Sequence, residues 1–341
     1  MGTIATSWVQ VHPSFMEPGL VLTYSQASGA FATLAGGNPL VRLGSEDLYV
    51  YIRSLDIRTK IAAGQAAYNM LPSVGITAQL ASTASYLLRV RAEYDHHDSA
   101  QMANWNAPIA EAYRFGMRQA HFQLIRNNLL YGMNPANGEG LLNAAGITSI
   151  SLPADSFGND TVETYDNGQM AMFLLSTISA LKSRTNQLGT PRRFVILGPQ
   201  RVLSVFEYQG IVQLTQYQRP GAGTDVTAGV VKKVLQENGD IIEWQYDDTL
   251  IGQGSGSTDA VLVVMPEVDV PKADNVINTN EFALVEPGIR ACTALYADLA
   301  APREIPTPIP GGAIDIVSEM RTTSGWAIRP EVVTKISMQF S

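Results

Sequence analysis

The sequence is poor in cysteine, in charge and in long apolar runs. Cys292 is the only cysteine among 341 residues, which leaves no intrachain disulfide and no thiolate metal cluster. Charged residues make up 16% of the chain, and the formal net charge is −8, whereas a surface that grips nucleic acid is normally basic. The strongest apolar run, Ala260 to Met265, is far shorter than the roughly 18 residues that suggest a membrane span. These shortages argue against a disulfide scaffold, a nucleic-acid clamp and a membrane protein.

The sequence does contain enough apolar residues for a large core. Hydrophobic residues make up 45% of the chain, and a chain of this length usually divides into two or three domains or subdomains. Residues 1–46 contain scattered apolar side chains without a sustained period, which predicts either an extended arm that packs against another surface or a partly ordered terminus.

The segment from Asn106 to Gly132 has the pattern of one long helix. Asn106 can cap its start, Pro108 suits the first turn, and Gly132 can end it in a left-handed conformation. Spacings of three and four residues predict one packed face and one polar face. The predicted packed face consists of Ile109, Ala112, Tyr113, Gly116, Ala120 and Leu124. The predicted polar face consists of Glu111, Arg114, Arg118 and His121.

Two segments before this helix alternate between apolar and polar residues, as strands do. The first runs from Leu48 to Arg53, and the second from Tyr86 to Asp95, with Tyr86, Leu88, Val90, Ala92 and Tyr94 on one side. The segment between them, residues 58–84, is rich in small residues. We predict a protruding two-stranded ribbon, which requires a partner surface because a lone ribbon is marginally stable in water.

The rest of the chain mixes short helices and strands, which favours the α+β class. Helices are predicted around 100–105, at 167–188 and at 199–208, a loop at 209–227, and a proline-rich connector at 302–312. Asn238-Gly239 is a strong hairpin signal between two strands, at 230–235 and 240–246. The other predicted strands are 147–152, 194–197, 260–265, 282–285, 289–295, 314–320, 326–329 and 332–338.

No catalytic or metal-binding pattern emerges from the polar residues. Asp95-His96-His97-Asp98 carries ligand types, but it lacks a spaced histidine pair, so hydrogen-bonded turn residues are the favoured interpretation. The glycine-rich segment at 252–256 lacks the Lys-Ser/Thr ending of a phosphate loop. We therefore predict no enzyme activity and no cofactor.

The order of these elements resembles the major capsid proteins of tailed bacteriophages of the Hong Kong ninety-seven type, over nearly the whole chain. The resemblance is carried by the arm, the ribbon, and the long helix ending in Leu-Leu-Tyr-Gly at 129–132. It continues with the turn Gly140-Leu141-Leu142-Asn143 and with the final strands around Gly325-Trp326-Ala327-Ile328-Arg329-Pro330. Order and spacing carry the resemblance, since none of these motifs is specific alone.

The resemblance implies an α+β phage major capsid fold with a long spine helix, a peripheral β-sheet domain and an axial domain. The implied divisions are an extended N-terminal arm at 1–46, a protruding β-ribbon loop at 47–95, and a peripheral domain at 96–165 with the spine helix at about 106–132. An axial domain follows at 166–300, and a connector with a C-terminal β region returns to the peripheral domain at 301–341.

The function implied by the resemblance is self-assembly into the icosahedral shell that encloses the double-stranded DNA of a tailed phage. The partners would be further copies of the chain in pentamers and hexamers, together with separate scaffolding, portal or decoration proteins. The DNA would be enclosed without sequence-specific binding. The location would be the virion, after assembly in the host cytoplasm. Candidate inter-subunit contacts are Arg58, Lys60, Arg89, Arg91, Glu111, Arg114 and Arg118.

Two alternatives remain open at the level of sequence. An encapsulin-like nanocompartment subunit would share the fold but would enclose cargo enzymes. A soluble α+β enzyme would carry an unrecognised site, for which the surroundings of His96 and His97 are the first candidate.

Overall fold

A computed structural model describes the chain in thirteen stretches, and the predictions for the N-terminal arm up to residue 39, Lys60 and the strand at 282–285 lie outside them. The described residues are 40–41, 43–44, 46–58, 75–104, 109–185, 191–214, 227–268, 292–293, 295–296, 298–299, 302–310, 312–327 and 330–340. The helices are α1 (His96–Asn104), α2 (Ile109–Tyr131), α3 (Asn167–Arg184), α4 (Gln200–Leu214) and α5 (Thr227–Glu237). The strands are β1 (Leu40–Val41), β2 (Tyr49–Arg58), β3 (Gly75–Tyr94), β4 (Thr148–Ser151), β5 (Arg193–Gly198), β6 (Ile241–Tyr246), β7 (Asp259–Val264), β8 (Glu267–Val268), β9 (Cys292–Thr293), β10 (Leu295–Tyr296), β11 (Asp298–Leu299), β12 (Arg303–Ile309), β13 (Ala313–Thr323), β14 (Trp326–Ala327) and β15 (Val333–Met338).

The first sheet joins residues from both ends of the chain. Its strand order is β1-β11-β13-β3-β2, and β12 also pairs with β13. The side chains of β3 alternate as predicted, with Leu88 and Ala92 buried and Leu87, Arg89 and Arg91 exposed. Helix α2 lies against the buried face of β3 and β13. A mixed helix-and-sheet architecture is therefore confirmed.

The predicted ribbon exists, but it is built from different residues. Strand β2 pairs antiparallel with residues 75–84 of β3, within the segment that was expected to be an excursion. Residues 85–94 of β3, which carry the clear alternation, pair instead with β13.

The prediction of a connector at 302–312 is also wrong, because residues 303–309 form strand β12. Pro306 and Pro308 lie opposite Ile316 and Ile314 of β13. The two prolines are two residues apart, so their missing amide hydrogens fall on the same side of the strand. An edge strand tolerates proline on the side that faces away from its partner.

The second sheet holds the main core, in the order β4-β15-β7-β5-β6. Val195, Ile196 and Leu197 of β5 and residues 260–264 of β7 have no exposed surface. Strand β15 pairs with both β4 and β7, whereas β12 and β13 belong to the first sheet, so residues 303–338 contribute strands to both sheets.

The hairpin predicted at Asn238-Gly239 is wrong. Residues 230–235 belong to α5, which buries Val231 and Leu235, and Gly239 has a φ of +78° in the turn after the helix. Strand β6 then pairs in parallel with β5. An Asn-Gly pair is suited to left-handed backbone after a helix as well as to a hairpin.

Helix α2 buries a different face from the predicted one. The buried residues are Met117, His121, Ile125, Asn128, Leu129 and Leu130, whereas Tyr113 and Leu124 are 38% and 37% exposed. The shift from 116, 120 and 124 to 117, 121 and 125 is one residue, or about 100° around a helix. His121, predicted on the polar face, is only 3% exposed.

The other predicted helices differ from the structure mainly at their ends, since α1 begins at His96 and α4 continues to Leu214, into the predicted loop. Helix α3 covers most of the helix predicted at 167–188 and buries Met170, Leu174 and Leu181 at helical spacing. At the start of α1, Asp95 and Asp98 exchange two hydrogen bonds between side chain and backbone amide, of 2.8 and 3.2 Å. Within the described stretches, no helix is long and apolar enough to cross a membrane.

Candidate assembly surfaces

Three glycines bring separate chain segments into contact where α2 ends. Gly140 N donates to Gly325 O over 2.6 Å, and Gly325 N donates to Asn128 O over 3.3 Å. A Cβ on Gly325 would meet the backbone of Leu129, and a Cβ on Gly132 would lie 2.5 Å from Glu139 O. Because a side chain at these positions would push the backbones apart, the sequence requires glycine there.

A carboxylate is buried at the same junction. Glu139 is 8% exposed, and its oxygens accept hydrogen bonds from Tyr86 Oη at 2.8 Å and from Asn134 N at 3.0 Å. Ser324 Oγ lies 2.7 Å from the carboxylate and 2.9 Å from Asn128 Oδ1. Burial, and then the hydrogen bond to Glu139, raise the pKa of Tyr86 to about 12. The Glu139 junction therefore ties β3 to the end of α2 and to the segment after β13.

The predicted contact residues on α2 lie together on an exposed face. Arg114 pairs with Glu111 at 2.7 Å and with Glu304 of β12 at 3.2 Å, and Arg118 lies 3.8 Å from Glu304. The Arg118 side chain is 71% exposed. Because exposed pairs contribute little to folding, these side chains can exchange partners at low cost.

A second group of predicted contact residues lies on the opposite face of the first sheet. Arg89 pairs with Glu319 at 2.8 Å, and Arg91 pairs with Asp315 at 2.9 Å and with Glu93 at 3.0 Å. The Arg89 and Arg91 side chains are 63% and 59% exposed. This face therefore presents alternating charges to its surroundings.

The ribbon presents an apolar surface. Tyr49, Tyr51 and Leu80 are 58%, 62% and 65% exposed, and the register of β2 with β3 places them on the same face. Arg58 ends β2, and Lys60 lies outside the described residues. Apolar side chains that are this exposed mark an interaction surface when they are contiguous.

Sequence reasoning missed the polar partners in these contacts. Glu304 was placed in a connector, and neither Glu139 nor Ser324 was singled out, since each is an ordinary residue in a turn-rich segment. The repeated glycines at 132, 140 and 325 were the available signal, because a close approach of backbones is where buried polar groups must find partners.

His121 is a buried polar residue in which only one of the two ring nitrogens has a hydrogen-bond partner among the described residues. Its Nε2 lies 3.1 Å from Ser318 Oγ, and its buried Nδ1 has no hydrogen-bond partner among the described residues. Burial lowers the pKa of His121 below the usual 6.5. A neutral imidazole between α2 and β13 is therefore the favoured form.

No protein-family model matches the sequence, and no curated protein matches it. Solved structures, in contrast, are similar along almost the whole chain. The capsid of Myoviridae phage XM1 is 10% identical with a TM-score of 0.65, covering 95% of this chain and 96% of that one. The capsid of cyanophage P-SCSP1u is 13% identical with a TM-score of 0.53, covering 96% and 93%.

The mature capsid of bacteriophage PhiM1 is a third similar structure. It is 10% identical with a TM-score of 0.53, and the match covers 96% of this chain and 92% of that one. Because each match spans nearly all of both chains, the likeness concerns a whole subunit rather than one shared domain. The chain has the major capsid protein fold of tailed bacteriophages.

Proposed function

We propose that this protein self-assembles into the icosahedral shell that encloses the double-stranded DNA of a tailed phage. The observation that carries the proposal is the end-to-end similarity to the XM1 capsid, with a TM-score of 0.65 over 95% of the chain. A shell subunit works through its surfaces, so its function requires contacts with neighbouring copies and no catalytic centre.

The exposed surfaces support this role. The ribbon carries large apolar side chains away from the core, with Tyr51 and Leu80 more than 60% exposed. Specific interfaces usually bury more than about 1,000 Å², and a long ribbon adds contact area that a convex body cannot offer. In the proposed shell, the ribbon corresponds to the protruding loop, and α2 with the first sheet corresponds to the spine helix and peripheral domain. The second sheet with α3, α4 and α5 corresponds to the axial domain.

The charged candidates have a defined role in this proposal. Arg89, Arg91, Arg114 and Arg118 lie in exposed ion pairs whose contribution to folding is small. A neighbouring subunit can present an acidic group to any of them without breaking a buried contact. We assign them, with Glu111, Arg58 and Lys60, to contacts between subunits.

The net charge of the chain bears on how the proposed shell would hold DNA. A net charge of −8 disfavours tight phosphate binding, which depends on neutralising lysines and arginines. We propose that the DNA is enclosed without sequence-specific recognition. Scaffolding, portal and decoration proteins are further proposed partners, with assembly in the host cytoplasm and a final location in the virion.

The alternatives are less well supported. An encapsulin-like compartment would share the fold, but the similar structures named above are phage capsids. A soluble enzyme would need a site, and within the described residues no group of three or more histidine, cysteine, aspartate or glutamate side chains is arranged to hold a metal ion. The whole-chain similarity to capsid subunits favours the shell over both.

Electron microscopy of the purified protein tests the proposal. We expect size-exclusion chromatography to yield large assemblies and negative-stain images to show closed shells. A single monomer peak at all protein and salt concentrations would refute it. Particles from producing cells should protect DNA from nuclease, whereas particles that hold a co-purifying enzyme and no DNA would favour the nanocompartment.

A further inference from the structure

Asparagine is followed by glycine three times in the chain, at 137–138, 167–168 and 238–239. Asparagine is a thermolabile residue, because the nitrogen of the next peptide group can attack its side-chain carbonyl carbon. A glycine in the next position has no side chain that would obstruct this attack. The three pairs therefore share one reaction, and their surroundings in the fold decide which pair undergoes it.

The Asn137-Gly138 pair is the least restrained of the three. Asn137 is exposed, and no hydrogen bond holds its side-chain amide among the described residues. It ends a single 3-10 turn, Pro135–Asn137, in which Gly138 N donates to Pro135 O at 3.0 Å. Because this turn is isolated, opening it unwinds no longer helix. A Cβ on Gly138 would have no atom closer than 3.7 Å outside its chain neighbours, which leaves room for the movement.

The Asn238-Gly239 pair is held more firmly. Asn238 Nδ2 donates to Val234 O at 3.3 Å, so a hydrogen bond must break before the side-chain amide can rotate. Asn238 also follows α5 directly, and its backbone amide donates to Leu235 O at 3.0 Å. A Cβ on Gly239 would lie 3.2 Å from Pro191 Cγ, so the backbone there is packed against a neighbouring segment.

The Asn167-Gly168 pair lies in the first turn of α3. Asp166 caps this helix by accepting from Gln169 N at 2.9 Å, and Asn167 O accepts from Thr227 Oγ1 at 3.4 Å. The attack requires the backbone at the asparagine to leave the helical conformation. This pair is therefore protected as long as the start of α3 is folded.

The reaction at Asn137 consumes water and releases ammonia. The Gly138 nitrogen loses its proton to solvent and forms a bond to Asn137 Cγ, while the bond from Cγ to Nδ2 breaks and Nδ2 leaves as ammonia with a proton from solvent. Water then opens the resulting succinimide ring at either carbonyl carbon. Attack at Cγ gives aspartate, and attack at the main-chain carbonyl gives isoaspartate, in which the main chain runs through the former side chain.

Isoaspartate lengthens the main chain by one carbon in a segment whose ends are fixed. Gly132 N donates to Asn128 O at 3.0 Å before the turn, and Gly140 N donates to Gly325 O at 2.6 Å after it. The backbones at these glycines already approach so closely that a Cβ would not fit. The added carbon therefore has to distort the turn between them.

Asn134 connects this turn to the Glu139 junction. Its carbonyl oxygen accepts from Asn137 N at 3.1 Å, and its amide donates to the Glu139 carboxylate at 3.0 Å. Both products of deamidation also place a new negative charge two residues before the buried Glu139. Like charges repel more strongly where water is excluded, so the change in charge acts against the junction as well.

We infer that Asn137 is a site of spontaneous deamidation, and that its isoaspartate product weakens the Glu139 junction. The inference concerns a single subunit, so it does not depend on the proposed shell. The stability of the end of α2 would then decline with the age of the protein.

Peptide mass spectrometry tests the site. Folded protein is kept at mildly alkaline pH, digested at intervals, and analysed for the mass gain that marks the exchange of an amide for a carboxyl group. Asn137 should react about tenfold faster than Asn238, a ratio that corresponds to about 1.4 kcal/mol in activation free energy, because Asn238 must first break its side-chain hydrogen bond. In urea-unfolded protein the two rates should be similar, which would attribute the difference to the fold.

Urea unfolding tests the consequence. Aged protein should show a second transition at lower urea concentration, with an amplitude equal to the fraction of isoaspartate at position 137. Asn137→Gln is the matched variant, because the longer glutamine side chain cannot form the same ring, and the aged variant should keep a single transition. Asn137→Asp adds the charge without the extra main-chain carbon and should lower the midpoint less.

Contrary results would overturn each part separately. Equal rates at Asn137 and Asn238 in the folded protein, or no reaction at Asn137, would overturn the site. Deamidation without a second transition, or the same loss in aged Asn137→Gln, would overturn the effect on the Glu139 junction. An Asn137→Asp midpoint as low as that of the second transition would assign the effect to charge and overturn the role of isoaspartate.

Discussion

The buried carboxylate of Glu139 provides the sharpest test of how the helix end is held. Tyr86 donates to it at 2.8 Å, and hydrogen bonds to a charged group contribute about 1.5–3 kcal/mol. Tyr86→Phe should therefore lower the free energy of unfolding by about 1.5–3 kcal/mol, toward the lower end because Tyr86 is only partly buried. Tyr131→Phe is the matched control, since Tyr131 Oη donates to a neutral carbonyl, Thr249 O, at 2.5 Å, and should lose about 0.5–1.5 kcal/mol.

A double-mutant cycle isolates the contact itself. Glu139→Ala leaves the Tyr86 hydroxyl and Asn134 N without their acceptor, at about 1–3 kcal/mol for each donor, whereas Ser324 Oγ can still donate to Asn128 Oδ1. In the double variant the hydroxyl is also gone, so the combined loss should be smaller than the sum by about 1 kcal/mol or more. Urea unfolding of the unassembled subunit measures all four proteins. Additive losses would show that the hydroxyl and the carboxylate do not depend on each other, and would refute the proposed role of the Glu139 junction.

Three further predictions concern the packing around α2. Gly325→Ala should destabilise the subunit by about 1–3 kcal/mol through forced backbone separation. In the control variant Gly116→Ala, no described atom lies within 4 Å of the new Cβ, so the change should be stabilising by about 0.5–1 kcal/mol. Equal urea unfolding midpoints for the Gly325→Ala and Gly116→Ala variants would contradict the predicted close contact at Gly325. Because burial lowers the pKa of His121 below 6.5, its neutral form stabilises the fold fully above about pH 6.5, and this stability is lost as the pH falls further. His121→Gln should remove that decline, and an unchanged pH profile of unfolding would exclude it as the cause. Arg118→Glu, which faces Glu304, should change folding stability by under about 1 kcal/mol while reducing shell yield in micrographs; loss of both together would assign Arg118 to the fold instead of the assembly surface.

Periodicity predicted the parts of the fold whose burial is one-sided. Residues 86–94 and α3 each contact the core along one face, so their apolar spacing matches their structure. Helix α2 departs from this because its buried stripe includes His121 and Asn128, which contact Ser318 of β13 and Ser324 just after β13. A rule that counts only apolar residues cannot identify such a face.

The remaining errors occur where tertiary contacts outweighed the local preferences of the sequence. The valines and lysines at 230–235 fit a strand by composition, but the spacing of Val231 and Leu235 buries one helical face of α5. The prolines of β12 suggested a connector, although both fall where an edge strand tolerates them. At the assembly surfaces, the exposed arginines were identified by residue type, while their partners Glu304, Glu319 and Asp315 depended on strand register and were not predictable from spacing.

The continuity of β3 has a mechanical consequence. Its 20 residues extend about 66 Å at about 3.3 Å per residue, one half belonging to the ribbon and the other to the sheet beneath α2. No loop separates the two halves, so bending of the ribbon would be transmitted along the strand, through residues 84–86, into the sheet. A force applied to the ribbon by a neighbour would twist the sheet under the helix. The Tyr86 hydrogen bond to Glu139 lies where the two halves meet, so a change in ribbon direction would strain this bond.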